Sequence, residues 1–250
     1  MTPSADSVDA AEQNYFATWR LLVERAEGCS VEETDDVLLT SVPGAPSYFN
    51  SAFVKPPADP LRCVDEVRAF FVERGTPFTL RCRSTAESEA FARILGLEAA
   101  DASPLMNASA EEIAPPTLPD IVRVDAGTWG DHIAAIAKGF GVPTDLAGRL
   151  FGPDIAIGDE YFAFNAYVDG EVASTAAAVV HDGVTGIYNV ATPAAFRRRG
   201  LGEATTRAAI AEGCRRGCAI ATLQSSEMGY SIYERMGFRT VATWRSFTSS

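Results

Sequence analysis

The sequence predicts an α/β fold of the α+β type: a mixed, mostly antiparallel central sheet flanked by helices. Three observations predict it. A β-type run at 187–192 leads through Pro193-Ala194-Ala195-Phe196 and Arg197-Arg198-Arg199-Gly200-Leu201-Gly202 into a helix. Asp169-Gly170 joins two strand-like runs, 161–168 and 172–180, and this pair supplies the backbone of a tight hairpin. A layout of helix, glycine, strand, helix, glycine occurs twice, marked by Gly75 and Gly96 and again by Gly217 and Gly237. The two spacings are nearly equal, which reads as an internal repeat.

Taken in order, residues 1–12 are polar and read as a frayed end. Residues 14–26 read as a helix with Phe16, Trp19, Leu22 and Val23 on one face. An acidic turn at 31–36 precedes a strand at 37–40. Pro43-Gly44-Ala45-Pro46 is a loop, and 47–54 returns to extended chain. After Lys55-Pro56-Pro57-Ala58, Asp59 and Pro60 start a helix that carries Val64, Val67, Phe71 and Val72 and stops at Gly75. A strand at 77–82 and a helix at 87–95 follow.

The segment 114–119, Ala-Pro-Pro-Thr-Leu-Pro, is stiff and extended and reads as the joint between an N-terminal domain, 1–113, and a second domain, 120–250. Beyond it come a strand at 121–124, helices at 129–140 and 144–151 around Gly141-Val142-Pro143, and the hairpin. Asp182-Gly183 turns the chain into the strand at 187–192. The following helix shows Leu201, Ala204, Ala208 and Ala211 at helical spacing, with Arg215 and Arg216 in its last turn and Gly217 as its stop. A strand at 219–224 and a short helix capped by Ser225-Ser226 and ended by Gly237 complete the set.

The turn at Arg197–Gly202 carries the chemistry. Two glycines in a three-residue window take away the side chains that would hold a ligand off the main chain. Amides left unpaired at a helix start, with three arginines beside them, suit a polyanion such as a diphosphate. There is no Gly-Lys-Ser/Thr and no three-glycine dinucleotide fingerprint, so a nucleotide-hydrolysing loop and a Rossmann site are excluded. A basic turn before an ordinary surface helix is the plain alternative.

Arg-x-x-Gly-x-Gly between strand and helix resembles the pyrophosphate loop of the GNAT N-acetyltransferase superfamily. Ile232-Tyr233-Glu234-Arg235-Met236-Gly237-Phe238 resembles the closing Tyr-x-x-x-Gly-Phe element of that superfamily. The resemblance covers about the last 130 residues. It implies an acetyl-CoA-dependent N-acetyltransferase acting directly on a primary amine of a small molecule or amino acid. It also implies that the N-terminal copy is degenerate, because 55–60 has no glycine pair and Ala92 stands where Tyr233 stands. A fold that binds acyl-CoA without turning it over, as a sensor or assembly module, is the alternative.

By that resemblance, Arg197, Arg198, Arg199, Gly200, Leu201, Gly202 and Glu203 hold the pyrophosphate. Val190, Ala191 and Thr192 line the pantetheine arm, and the Val190 amide polarises the thioester carbonyl. Tyr233 protonates the departing thiolate. Ser226 stands where relatives often carry an Asn that touches the coenzyme. Where relatives often place a basic Glu, this chain has Tyr188 and Asn189, so the base stays open: His181 acts alone or through water or is a solvated turn residue, and a water chain is the other candidate. His132 reads as structural. Trp129, Phe140, Phe151 and Tyr161 are either an acceptor pocket or core.

Composition bounds the rest. The net charge of −12 argues against general nucleic-acid binding. The acidic excess sits in 1–119, with 9 Lys+Arg against 19 Asp+Glu, which leaves the arginines at 197–199 standing out in a nearly balanced second half. Five cysteines make no Cys-x-x-Cys pair and two histidines cannot complete a common zinc set, so no metal is expected. No basic, apolar leader opens the chain and no apolar run is long enough to span a bilayer, so a cytoplasmic protein is expected. Oligomeric state is not readable.

Overall fold

The computed structural model describes residues 5–118, 120–156 and 159–249. The elements are α1 (Ala5–Glu24), β1 (Ser30–Glu33), β2 (Val37–Ser41), β3 (Ser51–Val54), α2 (Val64–Val67), β4 (Thr79–Arg83), α3 (Ala86–Ile94) and β5 (Glu98–Ser109). They continue with β6 (Ile121–Arg123), α4 (Trp129–Phe140), α5 (Thr144–Phe151), β7 (Tyr161–Val168), β8 (Glu171–His181) and β9 (Val184–Ala191). The last are α6 (Leu201–Arg215), β10 (Ile220–Gln224), α7 (Glu227–Met236) and β11 (Arg239–Thr248). The expected class holds, with helices flanking a mostly antiparallel mixed sheet.

The chain divides into two compact units at places other than the expected joint. One unit takes α1 through Thr18 together with Leu105–Val241, and the other takes Trp19–Pro104 with the residues from Ala242 onward. Neither is a continuous stretch. In the first, strands run β5-β10-β9-β8-β7-β6, antiparallel except for β9 and β10. In the second, β1-β2-β3-β4 are followed by the end of β11, and only β3 and β4 are parallel. Each unit therefore takes a strand from the far part of the sequence. The Leu105–Ser109 stretch of β5 lies antiparallel on β10, and Trp244–Thr248 of β11 lies antiparallel on β4.

The segment expected as a linker is held to α6. Ile113 is 7% exposed in the first unit's core, and Arg207 donates to the Ala114 carbonyl at 2.9 Å. Pro119, the last residue of that joint, lies outside the described residues, as do residues 1–4.

In the first unit, α6 and α7 cover one sheet face. Met106, Phe162, Phe164, Ala178, Ile187, Ile210 and Leu223 form the core there. The small residues of α6 let it sit close: a Cβ on Gly213 would stand 2.6 Å from Thr185. In the other unit, Phe70, Phe71, Phe78, Leu80 and Phe91 form the core, with Phe71 stacked on Phe78 at 4.5 Å.

Several elements depart from the sequence reading. The acidic turn at 31–36 overlaps β1, which pairs with β2. The first helix starts at Ala5 rather than Asn14. The expected helix at 60–75 is a 3-10 turn, one α turn and a π turn in succession, and Val72 is left exposed. The extended stretch 47–54 begins as a 3-10 turn. Among the described residues no helix is long and apolar enough to cross a membrane. All five cysteines are free.

Candidate active site

The site begins at β9. Its antiparallel register on β8 runs from His181↔Val184 to Ala177↔Tyr188 and then jumps to Thr175↔Ala191. Two steps on β8 therefore face three on β9, which is a β-bulge. Asn189 takes up the extra residue with φ +52°, a left-handed conformation that asparagine tolerates better than most residues. The parallel ladder to β10 covers only Val184–Gly186. Past Gly186 and Thr222 the two strands share no bridge, and the gap between them is the candidate cleft.

One wall of the cleft is the start of α6. Gly200, at φ +74°, is its N-cap, and Arg198 is also left-handed at +62°. These two turns aim the first amides of α6, which have no partner within the helix, outward. A Cβ on Gly202 would stand 3.2 Å from Thr192 Oγ1 and 3.7 Å from Val190 Cγ1, so the missing side chain lets α6 begin against the bulged strand. Leu201 packs on Ala166 and Ala173.

The three arginines are not equivalent. Arg197 Nε donates to the Thr192 carbonyl at 3.0 Å and so ties the loop to the end of β9. The Arg199 guanidinium lies 5.9 Å from the Phe196 ring, and Arg198 is exposed. Glu203 is paired with Arg207 at 2.8 Å, which quenches its charge in the first turn. Thr192 Oγ1 shares a 2.8 Å hydrogen bond with Ser174. Ala191 is buried under α4, where a Cβ on Gly139 would come within 2.7 Å of it.

The other wall is α7. Ser226 caps it by accepting from the Gly229 amide at 3.2 Å. Gly237 ends it at φ +107°. The Tyr233 ring meets Phe238 edge-on at 5.9 Å. Burial pushes the phenol up to about 12, against a pull downward from the Thr206 hydroxyl. Val190 and Tyr233 both border the α6-side core. The expected residues Val190, Thr192, Gly202 and Tyr233 thus come together, whereas Ser226 is engaged in capping α7 and Arg197 in tying the loop to the end of β9.

Tyr188 turns to the opposite face. Its hydroxyl donates to Asn14 Oδ1 at 2.8 Å, while Asn14 Nδ2 donates to the carbonyls of Val179 and Val184. Burial first, then Tyr15, push its phenol up, and Thr18 pulls it down. It stays protonated and does not act as a base. His181 stands 3.5 Å from Asp182 in the turn after β8. Of the four aromatics, Trp129, Phe151 and Tyr161 are core, with Trp129 donating to the Phe151 carbonyl at 2.8 Å, and Phe140 is 54% exposed. Among the described residues no group of three His, Cys, Asp or Glu is placed to hold a metal ion.

His132, whose partners the sequence left unnamed, is fully buried between Thr175 Oγ1 at 2.6 Å and the Tyr161 hydroxyl at 2.8 Å. Desolvation holds its imidazole down to about 3. In the unfolded chain an imidazole protonates below about 6.5. The unfolded state therefore binds more protons between these limits, and stability falls as pH drops through that window. The slope reaches about 1.4 kcal/mol per pH unit. Urea unfolding at pH 6.5 and pH 5 is expected to show wild type losing on the order of 1–2 kcal/mol more than His132→Phe. Equal losses would contradict it.

Comparison with known proteins agrees with this fold. Residues 138–238 match the acetyltransferase (GNAT) family. A GCN5-related N-acetyltransferase from Kribbella flavida superposes with a TM-score of 0.72 at 20% identity, over 96% of this chain and 95% of that one. One from Sphaerobacter thermophilus gives 0.62 at 15% identity, over 89% and 82%. A tandem GNAT protein from the clavulanic acid biosynthesis pathway gives 0.59 at 13% identity, over 99% and 97%. No curated protein matches the chain in sequence. Over residues 138–238 the chain carries an acetyltransferase domain of the GNAT family, an N-acetyltransferase by class.

Proposed function

We propose that the protein moves an acetyl group directly from acetyl-CoA to a primary amine of a small molecule or amino acid. The single observation that carries this is the convergence of the bulged β9, the glycine-led start of α6 and Tyr233 on one cleft. The first amides of α6 at Leu201, Gly202 and Glu203, with Arg198 and Arg199, would hold the pyrophosphate. Gly202 fits this role because any side chain there would fill the space beside Thr192 and Val190.

Acetyl-CoA supplies an activated thioester, and the chain supplies the rest. The bulge leaves an extra residue of β9 outside the ladder, so the Val190 amide is free to donate to a developing oxyanion. Tyr233 gives a proton to the departing sulfur. The Thr192 carbonyl is already taken by Arg197, so Val190 and Ala191 bear more of the pantetheine arm than the resemblance implied. No side chain among the described residues stands out as a base, and water is assigned that role. The free thiols fit a reducing, cytoplasmic setting.

Gly202→Val is expected to weaken coenzyme A binding at least tenfold and to cost about 1–3 kcal/mol of stability, because its methyls push α6 off β9. Calorimetric titration and thermal unfolding read both. Binding within twofold of wild type would remove the glycine cradle from the account.

We also read the N-terminal unit as a degenerate copy of the same motif. Its parallel pair β3/β4 and helices α2 and α3 repeat β9/β10, α6 and α7 in order. Where the active copy has Gly200, this one has Asp59, whose carboxylate accepts from the Leu61 amide at 2.9 Å. A fixed negative charge thus sits where a phosphate would have to go.

A thiol-release assay with acetyl-CoA and a panel of amines tests the enzymatic reading. Release with at least one amine supports it. Coenzyme binding without release across the panel favours a non-catalytic acyl-CoA sensor.

A further inference from the structure

The ladder between β8 and β9 ends at Thr175↔Ala191. The next residues across, Ser174 and Thr192, are joined by their side chains instead, Oγ to Oγ1 at 2.8 Å. Ser174 is fully buried, and its Oγ also lies 3.2 Å from the Ala191 carbonyl. Thr192 is only half-buried, and Arg197 holds its carbonyl at 3.0 Å. Its Oγ1 borders the space that Gly202 leaves open, 3.2 Å from where a Cβ would stand. Ser174 Oγ is 4.0 Å from the same point.

Proton counting allows this pair two arrangements, because each hydroxyl has one proton to give. In the first, Ser174 donates to the Ala191 carbonyl and Thr192 donates to Ser174. Thr192 Oγ1 then shows only lone pairs to the open space. In the second, Ser174 donates to Thr192, and the Thr192 proton is free to point toward Gly202. A pyrophosphate oxygen is ionised and only accepts, so the first arrangement repels it and the second binds it. The change gives up only the longer of the two Ser174 contacts, 3.2 Å against 2.8 Å. It also has Thr192 accept one bond while it donates another, which strengthens the bond it donates.

We propose that the Thr192 hydroxyl binds the coenzyme, donating to the pyrophosphate at the start of α6, and that Ser174 is the positioning residue that turns this proton outward. The proposal rests on the reading above that the first amides of α6 hold the pyrophosphate. Ser174 is sealed from the ligand and acts through Thr192.

Thr192→Val replaces the hydroxyl with a methyl of similar size, Thr192→Ser keeps it, and Ser174→Ala removes only its partner. Calorimetric titration with coenzyme A is read on each variant, with thermal unfolding to show that each is folded. Thr192→Val is expected to weaken binding about tenfold, as loss of a hydrogen bond to a charged group does. Thr192→Ser is expected to stay within about twofold of wild type, and Ser174→Ala to lose about fivefold. In the Thr192→Val background Ser174→Ala is expected to add no loss, because the hydroxyl it acts through is gone. Phosphorus NMR of bound coenzyme A locates the contact. Thr192→Val is expected to shift the pyrophosphate resonances and leave the 3′-phosphate resonance in place.

Equal affinity in Thr192→Val and wild type overturns the role of the hydroxyl. Weaker binding with unmoved pyrophosphate resonances overturns it as well, since the contact then lies elsewhere on the coenzyme. A full additional loss from Ser174→Ala in the Thr192→Val background overturns the positioning role. Any of these leaves the proposed function standing. A wild-type protein that binds no coenzyme A overturns the proposed function and this inference with it.

Discussion

Tyr233→Phe is expected to lower kcat by about 10²–10⁴ while leaving coenzyme A affinity within twofold. The substitution removes one hydroxyl and keeps the ring that meets Phe238 at 5.9 Å and borders the α6-side core, so the fold is preserved. The size of the effect depends on whether a phenol held near 12 can protonate a thiolate at all. Against an ordinary thiol of pKa about 8.5 the transfer is uphill by roughly 5 kcal/mol. The cleft changes that comparison. Elsewhere in this chain, burial drives the thiols of Cys63 and Cys82 up to about 12 as well. A coenzyme thiolate losing water beside Val190 and Tyr233 would rise in the same direction, toward the phenol, which would ease general-acid transfer. Stopped-flow and steady-state kinetics with calorimetric binding check the split. Unchanged kcat would take Tyr233 out of the mechanism.

Much of the second half was legible because its signals are local. Gly141-Val142-Pro143 separates α4 from α5, Asp169-Gly170 turns β7 into β8, and Gly217 and Gly237 end α6 and α7, each at positive φ. The missed parts depend on distant partners. β5 contains Pro104 and opens on Glu98-Ala-Ala-Asp, without strand alternation, and its last five residues are a strand because β10 pairs with them. The start of α1 has no apolar stripe, yet Ala11, Glu12 and Asn14 are buried, with Asn14 closing two carbonyls more than 160 residues away. Tertiary packing decides such segments, and propensity does not.

The site divides in the same way. Gly200 and Gly202 announce themselves, since few structures need two glycines at a helix start. The bulge does not, because its only local trace is an asparagine in a strand, a residue that tolerates the left-handed region. The partners of His132 lie 29 and 43 residues downstream. No spacing rule links them, so the histidine reads as a lone core residue until α4 is placed on β7 and β8.

The division into units makes the strongest structural prediction: a fragment spanning residues 115–250 is not expected to be soluble or active. The Pro-rich segment before it looks like a natural cut, but cutting there removes Leu105–Ser109, the antiparallel partner of β10. That leaves a hydrophobic strand edge bare, with Ala221, Thr222 and Leu223 all nearly fully buried in the whole chain. Leu105 and Met106, both fully buried, and Ile113 go with it, about 1.5–3 kcal/mol each. Asn14 also goes, and with it the two donors that satisfy the Val179 and Val184 carbonyls. Together these losses approach the 5–15 kcal/mol by which a domain is stable at all. The fragment also keeps Trp244–Thr248 of β11, a strand whose partner β4 is missing. Expression with size-exclusion chromatography and circular dichroism decides the matter. A soluble, cooperatively unfolding 115–250 fragment would show that the β5–β10 pairing is dispensable. Rescue by co-expressing residues 1–114 as a separate chain would show instead that both units need strands from each half.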